Sequence, residues 1–96
     1  MAAQPLTEHQ RLVLLAEEYR RRGYQVALYP SKDLLPESLR RFFVGLIAEA
    51  GEQIILADVR IRENLTMGGE FDLSAIAEQV EALPNATYEL IVIASP

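Results

Sequence analysis

Asp58 and Arg60 stand two residues apart in the β-rich run Ile54–Arg62, and they are the pair in this sequence best spaced to act together. A strand repeats every two residues, so both side chains lie on one face, where a carboxylate and a guanidinium form a shared polar network. The guanidinium stays protonated; it suits contact with phosphate and is a poor proton acceptor. Other residue types narrow the chemistry further. The absence of cysteine excludes disulfides, thiolate nucleophiles and cysteine-based zinc sites. His9 is the only histidine, so no second His or Cys completes a transition-metal set, and its place in the first turn of a helix predicts an exposed side chain. Ser31, Ser38, Ser74 and Ser95 have no partner pattern for nucleophilic catalysis. Gly68-Gly69 lacks the Lys-Ser/Thr tail of a phosphate loop and precedes Glu70 and Asp72, which would repel a phosphate, so it reads as a connection.

The elements that must position these residues follow from pattern. Thr7 and Gln10 form a capping box, and Leu12, Leu15, Ala16 and Tyr19 recur at helical spacing, predicting a helix from Glu8 to Arg22 that Gly23 stops. Tyr24–Tyr29 reads as a strand closed by Pro30, and a short helix could begin at Pro36, turning Leu35 and Leu39 inward. Phe42–Ala48 and Ile54–Arg62 are two strands joined by the glycine-containing connection 49–53, which predicts an antiparallel hairpin. A loop over Asn64–Glu70 leads to a second long helix with the stripe Leu73, Ile76, Ala77, Val80 and Leu83, ended by Pro84. The last strand, Tyr88–Ala94, contains the unbroken apolar run Leu90-Ile91-Val92-Ile93, as expected of a strand covered on both faces.

The resulting order, together with Gly23-Tyr24-Gln25-Val26, Leu35-Pro36 and the hairpin segments Phe43–Ala48 and Ile54–Arg60, resembles the PD-(D/E)XK superfamily of restriction-endonuclease-like proteins. The resemblance covers nearly the whole chain and implies an α/β fold, a single restriction-endonuclease-like domain with an αβββαβ core and a mixed central sheet. In that family an Asp on the second core strand and an Asp or Glu on the third hold a divalent metal, and a Lys two residues further on orients the attacking water. The matching positions here are Val44-Gly45, Asp58 and Arg60; only Asp58 keeps the expected residue type. Mg²⁺ is bound through oxygen ligands, usually one or two fixed carboxylates beside waters and phosphates, and a lone Asp58 would hold it poorly. Related nucleases recruit a carboxylate from the first helix, which makes Glu17 and Glu18 the candidates to restore the site. The vestigial site is thus Asp58, Arg60, Gly45 and Glu18, with Mg²⁺ as the cofactor if the protein is active. The resemblance further implies that Gly45→Asp with Arg60→Lys would create metal affinity.

At 96 residues, half of them apolar, the chain is expected to be one domain spanning 1–96, and the final strand's position near Pro96 suggests the leading module of a longer protein. A net charge of −5 disfavours sequence-independent binding to phosphate backbones, although Arg20–Arg22, Arg40 with Arg41, and Arg60 with Arg62 form local basic clusters. The start resembles no signal peptide and no apolar stretch approaches a membrane span, so no membrane partner and a cytoplasmic location are expected. The leading expectation is a catalytically degenerate nuclease-like domain acting as a protein-interaction or assembly module, with a protein partner or homo-oligomer. Its rivals are a divalent-metal-dependent nuclease with a migrated carboxylate, and a non-cleaving nucleic-acid-binding module using Arg40, Arg60 and Arg62.

Overall fold

The structure, a computed structural model, describes residues 7–62 and 70–94, without the side chains of residues 70–72. Helix α1 (Glu8–Arg21) starts at the predicted capping box: the Thr7 hydroxyl accepts from the Gln10 amide at 3.0 Å, and the Gln10 side chain accepts from the Thr7 amide at 2.9 Å. It stops one residue short of the predicted end, where Gly23 takes φ +94°, a left-handed conformation that glycine adopts without steric cost. Strand β1 (Gln25–Leu28) follows. The short helix expected at Pro36 is a single 3₁₀ turn, Glu37–Leu39, with Pro36 at its N-cap, preceded by another, Lys32–Leu34; Leu35 and Leu39 are buried as anticipated.

Strands β2 (Leu46–Ala50) and β3 (Gln53–Ile61) form the predicted antiparallel hairpin, tightened to a two-residue turn with Gly51 at φ +60°. Helix α2 (Glu70–Glu81) and strand β4 (Ala86–Ile93) complete the described chain, so the predicted Asn64–Glu70 loop lies outside the described residues except for Glu70, which opens α2. The sheet order is β1-β2-β3-β4, antiparallel through β3 and parallel between β3 and β4, the latter pair being joined by the connection that contains α2. This is the mixed α/β sheet expected of a restriction-endonuclease-like domain. No helix among the described residues is long and apolar enough to cross a membrane.

Side-chain alternation along the strands builds two cores. Leu12, Leu15, Ala16 and Tyr19 of α1 pack on Leu46, Ala48, Ile55, Ala57 and Val59; the opposite face carries Ile47 and Leu56 under Leu35, Leu39, Val44, Ile76 and Val80. Fully burying each Leu or Ile contributes about 1.5–3 kcal/mol, so β3, buried on both faces, is the spine of the fold. Tyr19 also donates to Glu89, tying α1 to β4 through the first core.

Two expectations fail. The second strand begins at Leu46 instead of Phe42, because the Gly45 amide turns away to a side chain of β3 and Phe43 points into solvent. The apolar run of β4 is not covered on both faces: Leu90 and Val92 are 38 % and 41 % exposed. The reason is positional, since Ile76 and Val80 of α2 pack against the start of β4, at Ala86 and Tyr88.

Candidate functional site

The last register pair of β2 with β3 is Leu46↔Ala57, so from Asp58 onward β3 has, among the described residues, a strand partner only in β4. The flank that β2 leaves is filled by Gly45 and the first turn of α1. Into this corner, from the α2 face of the sheet, β3 projects Asp58 with 1 % exposure. One carboxylate oxygen, Oδ1, accepts the Gly45 amide at 2.8 Å, and the other, Oδ2, accepts the Tyr88 hydroxyl at 2.7 Å. The Arg60 guanidinium lies 3.4 Å from Oδ1 and also donates to the Val59 carbonyl at 3.2 Å, keeping about a third of its side chain exposed.

Burial pushes the Asp58 carboxyl above its ordinary range; the Tyr88 hydrogen bond, the Arg60 charge and the Gly45 amide pull it back, and the charge of Glu8 adds to the rise. Tyr88 is likewise raised, by burial and then by the Asp58 charge, so it stays a phenol that donates its proton to the carboxylate. Glu8 accepts the Ile61 amide at 2.7 Å, pairing an N–H of β3 that lies beyond the reach of β2.

Strand periodicity did bring Asp58 and Arg60 together on one face. Gly45 enters through its backbone, and its lack of a side chain suits the place: a Cβ would stand 3.0 Å from the Ala57 carbonyl and 3.1 Å from both Asp58 Oδ1 and a Leu12 methyl. A side chain at position 45 would therefore be crowded from its first carbon, which bears directly on the expectation that Gly45→Asp with Arg60→Lys would create affinity. Glu17 and Glu18 both face solvent, Glu17 within 3.9 Å of Arg21. The α1 carboxylate whose charge bears on Asp58 is Glu8, roughly 15 Å back along the helix at 1.5 Å per residue. His9 is exposed, and its ring stacks on Tyr29. Arg40 and Arg62 are exposed, as is Glu49 near the hairpin turn.

Two members of the network were not anticipated. Glu8 looks in sequence like an ordinary acidic residue complementing the helix dipole. Tyr88 heads an apolar run, and only the parallel register, which sets Leu56 opposite Tyr88 and Asp58 opposite Leu90, brings its hydroxyl to Asp58. Its polar tip ahead of four aliphatic residues was the available signal.

These residues do not fit a divalent metal. Both oxygens of Asp58 are engaged by donors of the chain itself, Gly45 supplies no side-chain oxygen, and the Arg60 guanidinium already stands 3.4 Å from Oδ1. Among the described residues no group of three or more His, Cys, Asp or Glu side chains is placed to hold a metal ion. No curated protein matches the sequence. The helix, hairpin and parallel crossover, with an acidic residue at this corner of the third strand, agree with what the sequence matches over residues 2–96, the restriction-endonuclease-like family described as REase_AHJR-like, and the chain belongs to that family.

Proposed function

We propose that this chain is a catalytically degenerate nuclease-like domain that acts as a protein-interaction or assembly module. The observation that carries the reading is the engaged state of Asp58: each carboxylate oxygen already accepts a hydrogen bond, Oδ1 from the Gly45 amide and Oδ2 from the Tyr88 hydroxyl, and the Arg60 guanidinium beside Oδ1 competes for the charge that a metal would need. Exposed Phe43, Leu90 and Val92 supply apolar surface of the kind that partners cover. Titration calorimetry with Mg²⁺ or Mn²⁺ is expected to give no binding in the low micromolar range. Saturable binding at that level, lost in Asp58→Ala, would overturn the reading.

One observation favours a second reading, a divalent-metal-dependent nuclease with a migrated carboxylate: Glu8, bonded to the Ile61 amide three residues beyond Asp58, brings a carboxylate of α1 to this end of β3. That reading requires Mg²⁺-dependent cleavage of a nucleic acid that both Asp58→Ala and Glu8→Gln abolish.

A further inference from the structure

We infer that the cleft between Tyr29 and Phe43 is a docking site for a partner segment carrying one aromatic anchor residue flanked by acidic residues. The inference rests on the interaction-module reading and gives it a place and a partner chemistry. The cleft measures about 300 Å³ and is walled by Tyr29, Pro30, Phe42, Phe43 and Val44, with Lys32 at its edge. That is the small end of the range of about 300–1,000 Å³ for binding pockets, suited to one side chain.

Phe43 is 88 % exposed and Tyr29 57 %, the two largest exposures among the big hydrophobic residues described, and both line this one cleft. Tyr29 is also held in place. Its φ of +47° is a left-handed conformation uncommon for a residue with a side chain, fixed by the Tyr29 amide donating to the Gly45 carbonyl at 2.7 Å. His9 stacks on the ring, 5.6 Å between centroids and 10° from parallel, with Nδ1 2.7 Å from the phenol oxygen. A wall fixed before the partner arrives loses little freedom on binding.

Charge selects the partner. Residues 29–44 hold three of the nine Lys and Arg but only two of the fourteen Asp and Glu, so this segment is slightly positive on a protein whose net charge is −5. Lys32 lines the cleft, and the Arg41 guanidinium lies 4.7 Å over the Phe42 ring. An acidic segment seated here meets Lys32 in the cleft and Arg41 beside it, which sets its orientation as well as its affinity. A nucleic-acid strand meets the same cations, but it needs a longer cationic track than this patch offers.

The test is a titration of the full chain, followed by amide nuclear magnetic resonance. The probe is a short synthetic peptide with one Trp between Asp and Glu residues. Saturable shifts are expected at Tyr29, Lys32, Phe43 and Val44. Phe43→Ala should weaken binding about tenfold or more, the effect of truncating an interface anchor, and Arg41→Glu should weaken it several-fold. Because Phe43 is exposed, unchanged shifts elsewhere in Phe43→Ala will confirm an intact fold. The inference fails if the peptide gives no saturable shifts, if a version with Lys in place of Asp and Glu or with Ala in place of Trp binds equally well, or if Phe43→Ala binds as tightly as the parent. It also fails if oligothymidylate displaces the peptide, or if the cleft shifts with protein concentration alone, which would assign it to a second copy. None of these results depends on metal binding or cleavage, on which the degenerate-nuclease reading stands or falls separately.

Discussion

Replacing Tyr88 by Phe isolates the energetic value of the network around Asp58. The ring stays and keeps its place in the core beside Leu56 and Ile76, so the change removes one hydroxyl whose partner is a carboxylate with 1 % exposure. Leaving a buried acceptor short of its donor costs about 1–3 kcal/mol, and a charged acceptor lies toward the upper part of that range. Partial protonation relieves some of the loss, since burial already raises the Asp58 carboxyl. A net cost of about 2 kcal/mol is expected, which for a domain of this size lowers Tm by about 8–16 °C. Thermal unfolding followed by circular dichroism, with urea unfolding in parallel, measures it. Asp58→Ala should cost more, near the lower end of the roughly 3–5 kcal/mol seen when one partner of a buried pair is removed, because Arg60 retains partial access to water. The contrary result is informative: a catalytic carboxylate commonly holds an active site in a less stable arrangement, and its removal then leaves stability unchanged or improves it. An unchanged Tm in Tyr88→Phe, or a higher one in Asp58→Ala, would refute the structural reading of this network.

Gly45→Ala is expected to destabilise by about 1–3 kcal/mol, read as a lower urea midpoint, because the Ala57 carbonyl 3.0 Å from the new Cβ is backbone and cannot step aside. Gly45→Asp with Arg60→Lys should lose at least as much stability and gain no Mg²⁺ affinity by calorimetry. The raised Asp58 carboxyl means that the folded protein holds a proton the unfolded chain releases at lower pH. Its stability contribution is therefore fully present below the ordinary carboxylate range and is lost as pH rises through the folded value. Urea midpoints of the parent should fall over that window relative to Asp58→Asn, and identical slopes in the two proteins would count against the shift.

Local signals in the sequence carried most of the fold. The capping box at Thr7 and Gln10, the stop at Gly23 and the hairpin turn at Gly51 are decided by neighbours a few residues apart, and each appears in the structure. Errors came where distant contacts decide. Phe42–Gly45 has the composition of a strand, yet the Gly45 amide is taken by Asp58 and the strand starts later. The apolar run in β4 resembles a doubly covered strand, but α2 packs against its start, at Ala86 and Tyr88, and leaves Leu90 and Val92 exposed. The site divides in the same way: the period of two set Asp58 beside Arg60, whereas choosing Glu8 over Glu17 and Glu18 required the depth at which α1 docks on β3, and finding Tyr88 required the β3–β4 register.

The side chain of Asp58 also bears on how completely this small protein must fold. Its donors come from separate parts of the chain: Gly45 lies 13 residues before it and Tyr88 30 residues after, while the neighbouring Ile61 amide is satisfied by Glu8, 53 residues upstream. A partly assembled form that buried the carboxylate in the β2–β3 hairpin before β4 arrived would hold a charge without its hydroxyl donor, a costly state in an apolar setting. Halfway structures are penalised while the finished one is not. Asp58 thus couples the hairpin to the last strand, and Glu8 ties the first helix to the same strand three residues further on, an arrangement that favours cooperative folding.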